Sequence, residues 1–354
     1  MNILVIKPSS LGDVVHTLPA IAPLRARFPR ATVSWLVNEE YAGIVRLCPG
    51  VDEVIPFRRK RWGQIAHWGE LLSFLRQLRR RKFDLAVDFQ GLFRSGFLSF
   101  CTRAPRRIGF ADGRELAPRF CTERVRVPDS ILHAVDRNQF LVRHAIGGGA
   151  ESSAVFPELR RDAEAAALAR ARLRRAGADD AFPLVAVAPC ARWESKNWPP
   201  EFFAQTLELL AARFPEMRCW LLGDAGQRGT GDRIAALCPT ARPLNWMGET
   251  GLGELLELLR ASHVVVTNDS GPMHLAAALQ RPTVALFGPT APERTGPYGN
   301  RSVVLRGSCP RRPCFRRRCL RGDDACKADV SPGAAAAAAA GLISGTGLPH
   351  SPHE

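Results

Sequence analysis

The chain has 354 residues, 46% of them hydrophobic and 23% charged, a balance that excludes general disorder and suits two domains of ordinary size. Its formal net charge of +15 points toward anionic partners, whether nucleic acid, anionic lipid headgroups or phosphorylated glycolipids. No apolar run approaches the roughly 18 residues of a membrane span, and Met1–Ile6 is too short for a signal-peptide core, so the expected compartment is the cytoplasm.

Residues 2–7 read as a fully buried parallel strand. A Ser-Ser-Leu-Gly-Asp turn follows, and then a helix from Val14 to about Phe28. Strands are expected at 32–37, 51–56 and 83–88, with a loop at 39–41 and a long amphipathic stretch from Trp62 to Lys82. This alternation predicts a doubly wound α/β sheet. The rhythm weakens at Gly147-Gly148-Gly149, which gives an N-terminal domain over 1-150. A second alternation fills 151-330, with helices at 162–176, 200–214 and 252–261 and strands at 184–188, 218–222, 264–267 and 283–287. The remainder, 331-354, reads as an Ala-rich helix over 334–343 and a loose tail over 347–354. The expected architecture is therefore two Rossmann-like units facing a central cleft.

In open α/β sheets ligands gather at the carboxyl ends of strands, where loops meet helix N-termini. Asp13 stands at such a place, at the opening of the first helix, and has two readings: a helix cap, or a general base that takes the proton of an attacking hydroxyl. His16 lies one turn further along. After the strand at 184–188, Arg192 and Lys196 sit between two tryptophans and could neutralise a diphosphate without a metal. Gly223, Gly226 and Gly229 follow the strand at 218–222, although their spacing is not a dinucleotide fingerprint. The strand at 264–267 ends in Asn268-Asp269-Ser270-Gly271-Pro272-Met273-His274, which offers backbone N–H groups and polar side chains to a phosphorylated sugar. His274 reads equally as a core histidine, and Asp269 as a cap.

Six of the ten cysteines lie in apolar segments and read as small buried hydrophobes. Cys309, Cys314, Cys319 and Cys326 lack the close spacing of a zinc knuckle, and a structural metal site, free thiols and redox-dependent bridges all stay open.

Together these segments resemble the lipopolysaccharide heptosyltransferases, glycosyltransferase family 9, over most of the chain. The likeness rests on Lys7–Asp13 with His16-Thr17-Leu18-Pro19, on Asp269–His274, and on Asp88-Phe89-Gln90-Gly91-Leu92-Phe93-Arg94-Ser95. It implies the GT-B fold and inverting, metal-independent transfer of heptose from ADP-L-glycero-D-manno-heptose to the inner core of a lipopolysaccharide precursor. The same family with another donor or acceptor is the alternative.

The resemblance implies Asp13 as the catalytic carboxylate. It places the donor on Arg192, Lys196, Met247, Asp269, Ser270, Gly271 and His274, with Met247 toward adenine. It places the anionic acceptor, a Kdo-lipid A type glycolipid, on Ser10, Gly12, Arg58, Arg59, Lys60, Arg61 and Gln90. Gln227 or Asp224 stands where a ribose-binding glutamate would be, and Ala191-Arg192 replaces hydroxyl side chains of some members. No cofactor is implied beyond the ADP-sugar substrate, and no Asp-x-Asp metal motif stands out. The expected setting is the cytosolic face of the inner membrane. A nucleic-acid protein would use the arginine runs but leaves Asp269–His274 without a role. An inactive sugar-nucleotide binder is opposed by intact Asp13 and Lys196.

Overall fold

The computed structural model describes residues 1–148, 154–178, 182–299, 301–319, 322 and 325–345. The chain divides into two compact units, Met1–Arg160 and Arg161–Glu354. The expected boundary after residue 150 and the tail at 347–354 lie outside the described residues.

The first unit holds strands β1 (Asn2–Ile6), β2 (Thr32–Asn38), β3 (Glu53–Phe57), β4 (Leu85–Asp88), β5 (Arg106–Phe110) and β6 (Glu123–Val125). All pair in parallel, in the order β3-β2-β1-β4-β5-β6. Residues Ile3–Ile6 are buried on both faces of the sheet, which is why they form an unbroken apolar run. The expected helix over 14–28 is instead three pieces: Leu11–Val15, a 3₁₀ turn Leu18–Ala20, and Ile21–Arg27. Pro19 has no N–H to continue the ladder and its ring crowds the preceding turn. The amphipathic stretch after residue 62 is also broken, into Arg59–Trp62, Ile65–His67 and Trp68–Arg80.

The second unit holds β7 (Leu184–Ala188), β8 (Arg218–Leu221), β9 (Leu244–Asn245), β10 (Val264–Asn268), β11 (Thr283–Phe287) and β12 (Ser302–Arg306). Its parallel order, β12-β11-β10-β7-β8-β9, is the order of the first sheet repeated. In each sheet the winding reverses between the first and fourth strands, β1/β4 and β7/β10, and there the helices on either side diverge and leave a crevice.

The Ala-rich helix, Pro332–Ile343, is not a separate appendage. Ser331 caps it through Ala334 N–H at 3.1 Å, and Ala335 and Ala339 are fully buried in the core of the second unit, where it packs on the helix Pro200–Arg213. Small side chains let the two helix backbones approach closely. Among the described residues no helix is long and apolar enough to cross a membrane.

Candidate active site

In the first unit, β1 and β4 deliver their carboxyl ends to one crevice. The chain leaving β1 carries Lys7, whose buried ammonium donates to the Phe89 carbonyl just past β4 at 2.8 Å. Burial pushes the Lys7 ammonium below its ordinary value, and the nearby carboxylates of Asp13 and Asp88 oppose that. β4 ends at Asp88, fully buried, whose carboxylate accepts from Gln90 N–H (2.9 Å), Gly91 N–H (3.2 Å) and Ser95 Oγ (2.8 Å). Burial raises this carboxyl to about 6, and the three hydrogen bonds and Lys7 limit the rise. The turn depends on Gly91, whose φ of +64° is left-handed.

Asp13 sits half-buried in the first turn of Leu11–Val15 and accepts from the Ser10 N–H at 2.9 Å and Ser10 Oγ at 2.8 Å. The cap role read from sequence is therefore real. The carboxylate also borders a cavity of about 300 Å³, so the cap does not exclude a second role. Lys7, His16, Gln90 and Gly91 line the same cavity, and Gln90 Oε1 accepts from Ser9 N–H at 3.3 Å. Gly12 is buried and Ser10 exposed beside it.

Four polar residues of the cavity were not anticipated: Asp112, Arg114, Arg137 and Asn138. Arg137 pairs with Asp112 at 2.5 Å and lies over the Phe110 ring, while buried Asn138 donates to His16 O and Thr17 Oγ1, both at 3.1 Å. Arg137 and Asn138 come from the helix Ala134–Ala145, whose buried face carries Asn138 and Gln139. Two amides in apolar positions were the available signal.

The basic run is placed elsewhere. Arg58, Arg59, Lys60 and Arg61 are exposed and do not line the cavity. Three already face carboxylates: Arg58 with Glu39 (3.1 Å), Lys60 with Glu40 (3.8 Å) and Arg61 with Glu70 (2.6 Å). Arg59 instead lies near Arg94, whose pKa is lowered by burial first and by that like charge second.

In the second unit, the ends of β7 and β10 are stitched together. Asn268, fully buried at the end of β10, donates to Pro189 O at 2.6 Å and accepts from Trp198 N–H at 3.2 Å, which fixes both ends of the loop after β7. Within that loop Lys196 meets Asp269 at 2.6 Å, and Thr290 Oγ1 donates to the same Asp269 oxygen at 2.6 Å. Lys196 also lies 4.9 Å from the Trp193 ring centre, so its ammonium is held on two sides. Gly288 lets the following loop approach, since a Cβ there would stand 2.9 Å from the Ser195 carbonyl.

Ser270 precedes the helix Gly271–Ala278, which buries His274 and leaves Gly271 partly exposed at its first position. Lys196, Asp269, Ser270, Gly271 and His274 are thus gathered around one switch point. Arg192 is exposed on the same loop. Met247 is fully buried; its N–H meets Asn245 Oδ1 at 3.2 Å and its carbonyl accepts from Arg228 at 3.1 Å. Gln227 is engaged locally, accepting from the Asp224 N–H at 3.1 Å. Thr290, which ends the Phe287-Gly288-Pro289-Thr290 segment after β11, joins this group through Asp269.

Among the described residues no disulfide joins any of the ten cysteines. No three His, Cys, Asp or Glu side chains among the described residues form a group that could hold a metal. Cys314 is exposed while Cys326 is buried.

A family model described as glycosyltransferase family 9 (heptosyltransferase) matches residues 71–323. Lipopolysaccharide heptosyltransferase 1 of Pseudomonas aeruginosa is 34% identical over 327 residues, which span 90% of this chain and 87% of that protein. Among solved structures, the E. coli heptosyltransferase WaaC with ADP-2-deoxy-2-fluoro heptose is 25% identical with a TM-score of 0.74, covering 94% of this chain and 97% of the other. The E. coli ADP-heptose lps heptosyltransferase II shares the fold, with a TM-score of 0.79, 24% identity and coverage of 98% and 99%.

Proposed function

This chain belongs to glycosyltransferase family 9, the heptosyltransferases, and from that premise we propose that it moves heptose from ADP-L-glycero-D-manno-heptose to the inner core of an anionic lipopolysaccharide precursor. The acceptor hydroxyl oxygen attacks the anomeric carbon as the bond from that carbon to the diphosphate breaks. The hydroxyl proton passes to Asp13, ADP leaves with the electron pair, and the configuration inverts. The observation that carries this reading is the Asp13 carboxylate on the wall of a cavity at the β1/β4 switch point.

Lys196 supplies the countercharge for the departing diphosphate, and Asp269 and Thr290 hold the ammonium in place. With that cation and the N-terminus of Gly271–Ala278 in place, transfer proceeds without a metal in this reading. Arg114, beside the Arg137–Asp112 ion pair, gives the cavity a cation suited to an acidic sugar such as Kdo. The donor assignment is supported by the WaaC relative, which was solved with a fluorinated ADP-heptose. The acceptor's lipid end places the enzyme at the cytosolic face of the inner membrane, attached peripherally.

The test incubates purified protein with ADP-heptose and a deacylated Kdo-containing acceptor and weighs the products. A gain of one heptose is expected for the native chain. The Asp13→Ala variant should bind ADP yet form no product, and normal turnover by it removes the base assignment. Transfer of a different sugar from another nucleotide donor would favour the alternative within the family.

A further inference from the structure

The helix Phe93–Thr102 starts two residues beyond Gly91 of the cavity wall and turns an aromatic face outward. Phe93, Phe97 and Phe100 recur at helical spacing and are 48%, 37% and 52% exposed, and Leu116 beside them is 57% exposed. These rings are an organised layer. Phe93 stacks on Phe97 at 6.2 Å, and both meet Phe120 edge-on at 5.3 and 6.2 Å. Gly96 permits the underlying contact, because a Cβ there would lie 2.8 Å from the Phe120 ring.

The surroundings are cationic. Between Phe93 and Arg126 the chain carries eight arginines against three carboxylates, and one of those, Glu123, is bound to Arg106 at 2.8 Å. Arg107 lies over the Phe100 ring at 5.7 Å, and Arg103 and Arg119 are exposed. An apolar face of this kind rarely stays open to water on a monomer. Aromatic rings that seat at the acyl boundary, rimmed by arginines that meet phosphate headgroups, match an anionic bilayer surface.

We propose that the face made by Phe93, Phe97, Phe100 and Leu116 docks this protein on an anionic phospholipid membrane. The proposal rests on the functional reading of a lipid-linked acceptor, and it names the surface that reading leaves unspecified. The docked helix begins two residues past Gly91, so the aromatic face is joined directly to one wall of the Asp13 cavity.

The test is co-sedimentation of the full chain with phosphatidylcholine vesicles containing phosphatidylglycerol, and with pure phosphatidylcholine vesicles. The native protein should bind the anionic vesicles and release them as salt rises. F97S/F100S should lose about tenfold in partitioning. Arg103→Gln and Arg119→Gln should each lose about fivefold. Circular dichroism melts and turnover of a deacylated acceptor should be unchanged in all of them.

Equal binding to neutral vesicles, no binding by the native chain, or native-like binding by F97S/F100S would overturn the proposal. So would a dimer in light scattering that F97S/F100S abolishes while vesicle binding persists. Vesicle binding requires no sugar transfer and the soluble acceptor requires no membrane, so failure here and failure of the transferase reading are read separately.

Discussion

Replacing Asp88 by Asn isolates the electrostatic cost of the carboxyl beneath the cavity. Burial raises that group from 3.8 to about 6, a net value that already includes the attraction of Lys7. About two pKa units correspond to about 3 kcal/mol. Between roughly pH 4 and 6 the folded chain holds a proton that the unfolded chain has lost, so the Asp88 contribution to stability declines as pH rises through that window. The Asn side chain keeps the shape. Its carbonyl still accepts from Gln90 and Gly91, and its amide can donate to Ser95 Oγ, whose own hydrogen turns to Leu92 O at 2.9 Å.

Asp88→Asn should therefore gain about 2.4 kcal/mol relative to the native chain on going from pH 4 to pH 7, most of the full difference, whatever its offset at pH 4. The measurement is urea unfolding read by pulsed hydrogen exchange on peptides of Met1–Arg160, because two units need not unfold together. A native-minus-variant difference that stays constant from pH 4 to 7 would show that Asp88 does not titrate as its burial requires.

Three further outcomes follow from the second unit. On the proposed mechanism Lys196→Ala should lower kcat by about a hundredfold or more, with Lys196→Arg recovering part of the loss, because the charge that Asp269 holds in place is removed; steady-state kinetics decide it. Asn268→Ala strands the buried Pro189 carbonyl and Trp198 N–H and should cost about 3 kcal/mol, seen as a lower urea midpoint for peptides of Arg161–Glu354. Gly248→Ala combines a left-handed φ of +77° with a Cβ 2.5 Å from Ala225 Cα, and should cost at least about 2 kcal/mol in thermal or urea unfolding.

The strands buried on both faces were legible in sequence, because β1, β4, β7, β10 and β11 are short runs of apolar residues that end in turns. Of the outer strands, β3 was legible and β5, β6, β9 and β12 were not: β5 reads Arg-Arg-Ile-Gly-Phe, β6 has three residues and β9 two, and the short Val-Val-Leu run of β12 is only partly buried between Ser302 and Arg306. Their backbone pairing comes from the neighbouring strand rather than from their own side chains.

The structure brings Asp13 and Gln90 to one cavity and Lys196 and Asp269 to one switch point; strand ends direct attention to Asp13, Lys196 and Asp269, while Gln90 came from the family resemblance. Arg137 and Asn138 were missed, since their helix reaches the cavity only through the tertiary fold. The arginine run at 58–61 differs from its sequence appearance in another way: Glu39, Glu40 and Glu70, partners of Arg58, Lys60 and Arg61, are distant enough in sequence that these cations look unpaired until the chain is folded.

Neither sheet borrows a strand from the other, and each half buries its own interior, so the molecule is modular at the level of the peptide chain. A recombinant joined at Arg160 would inherit two complete hydrogen-bonded ladders, one from each parent. With the acceptor proposed for the first unit and the donor for the second, such a graft exchanges what receives the sugar while leaving what surrenders it in place, which gives this architecture a direct route to new glycan pairings.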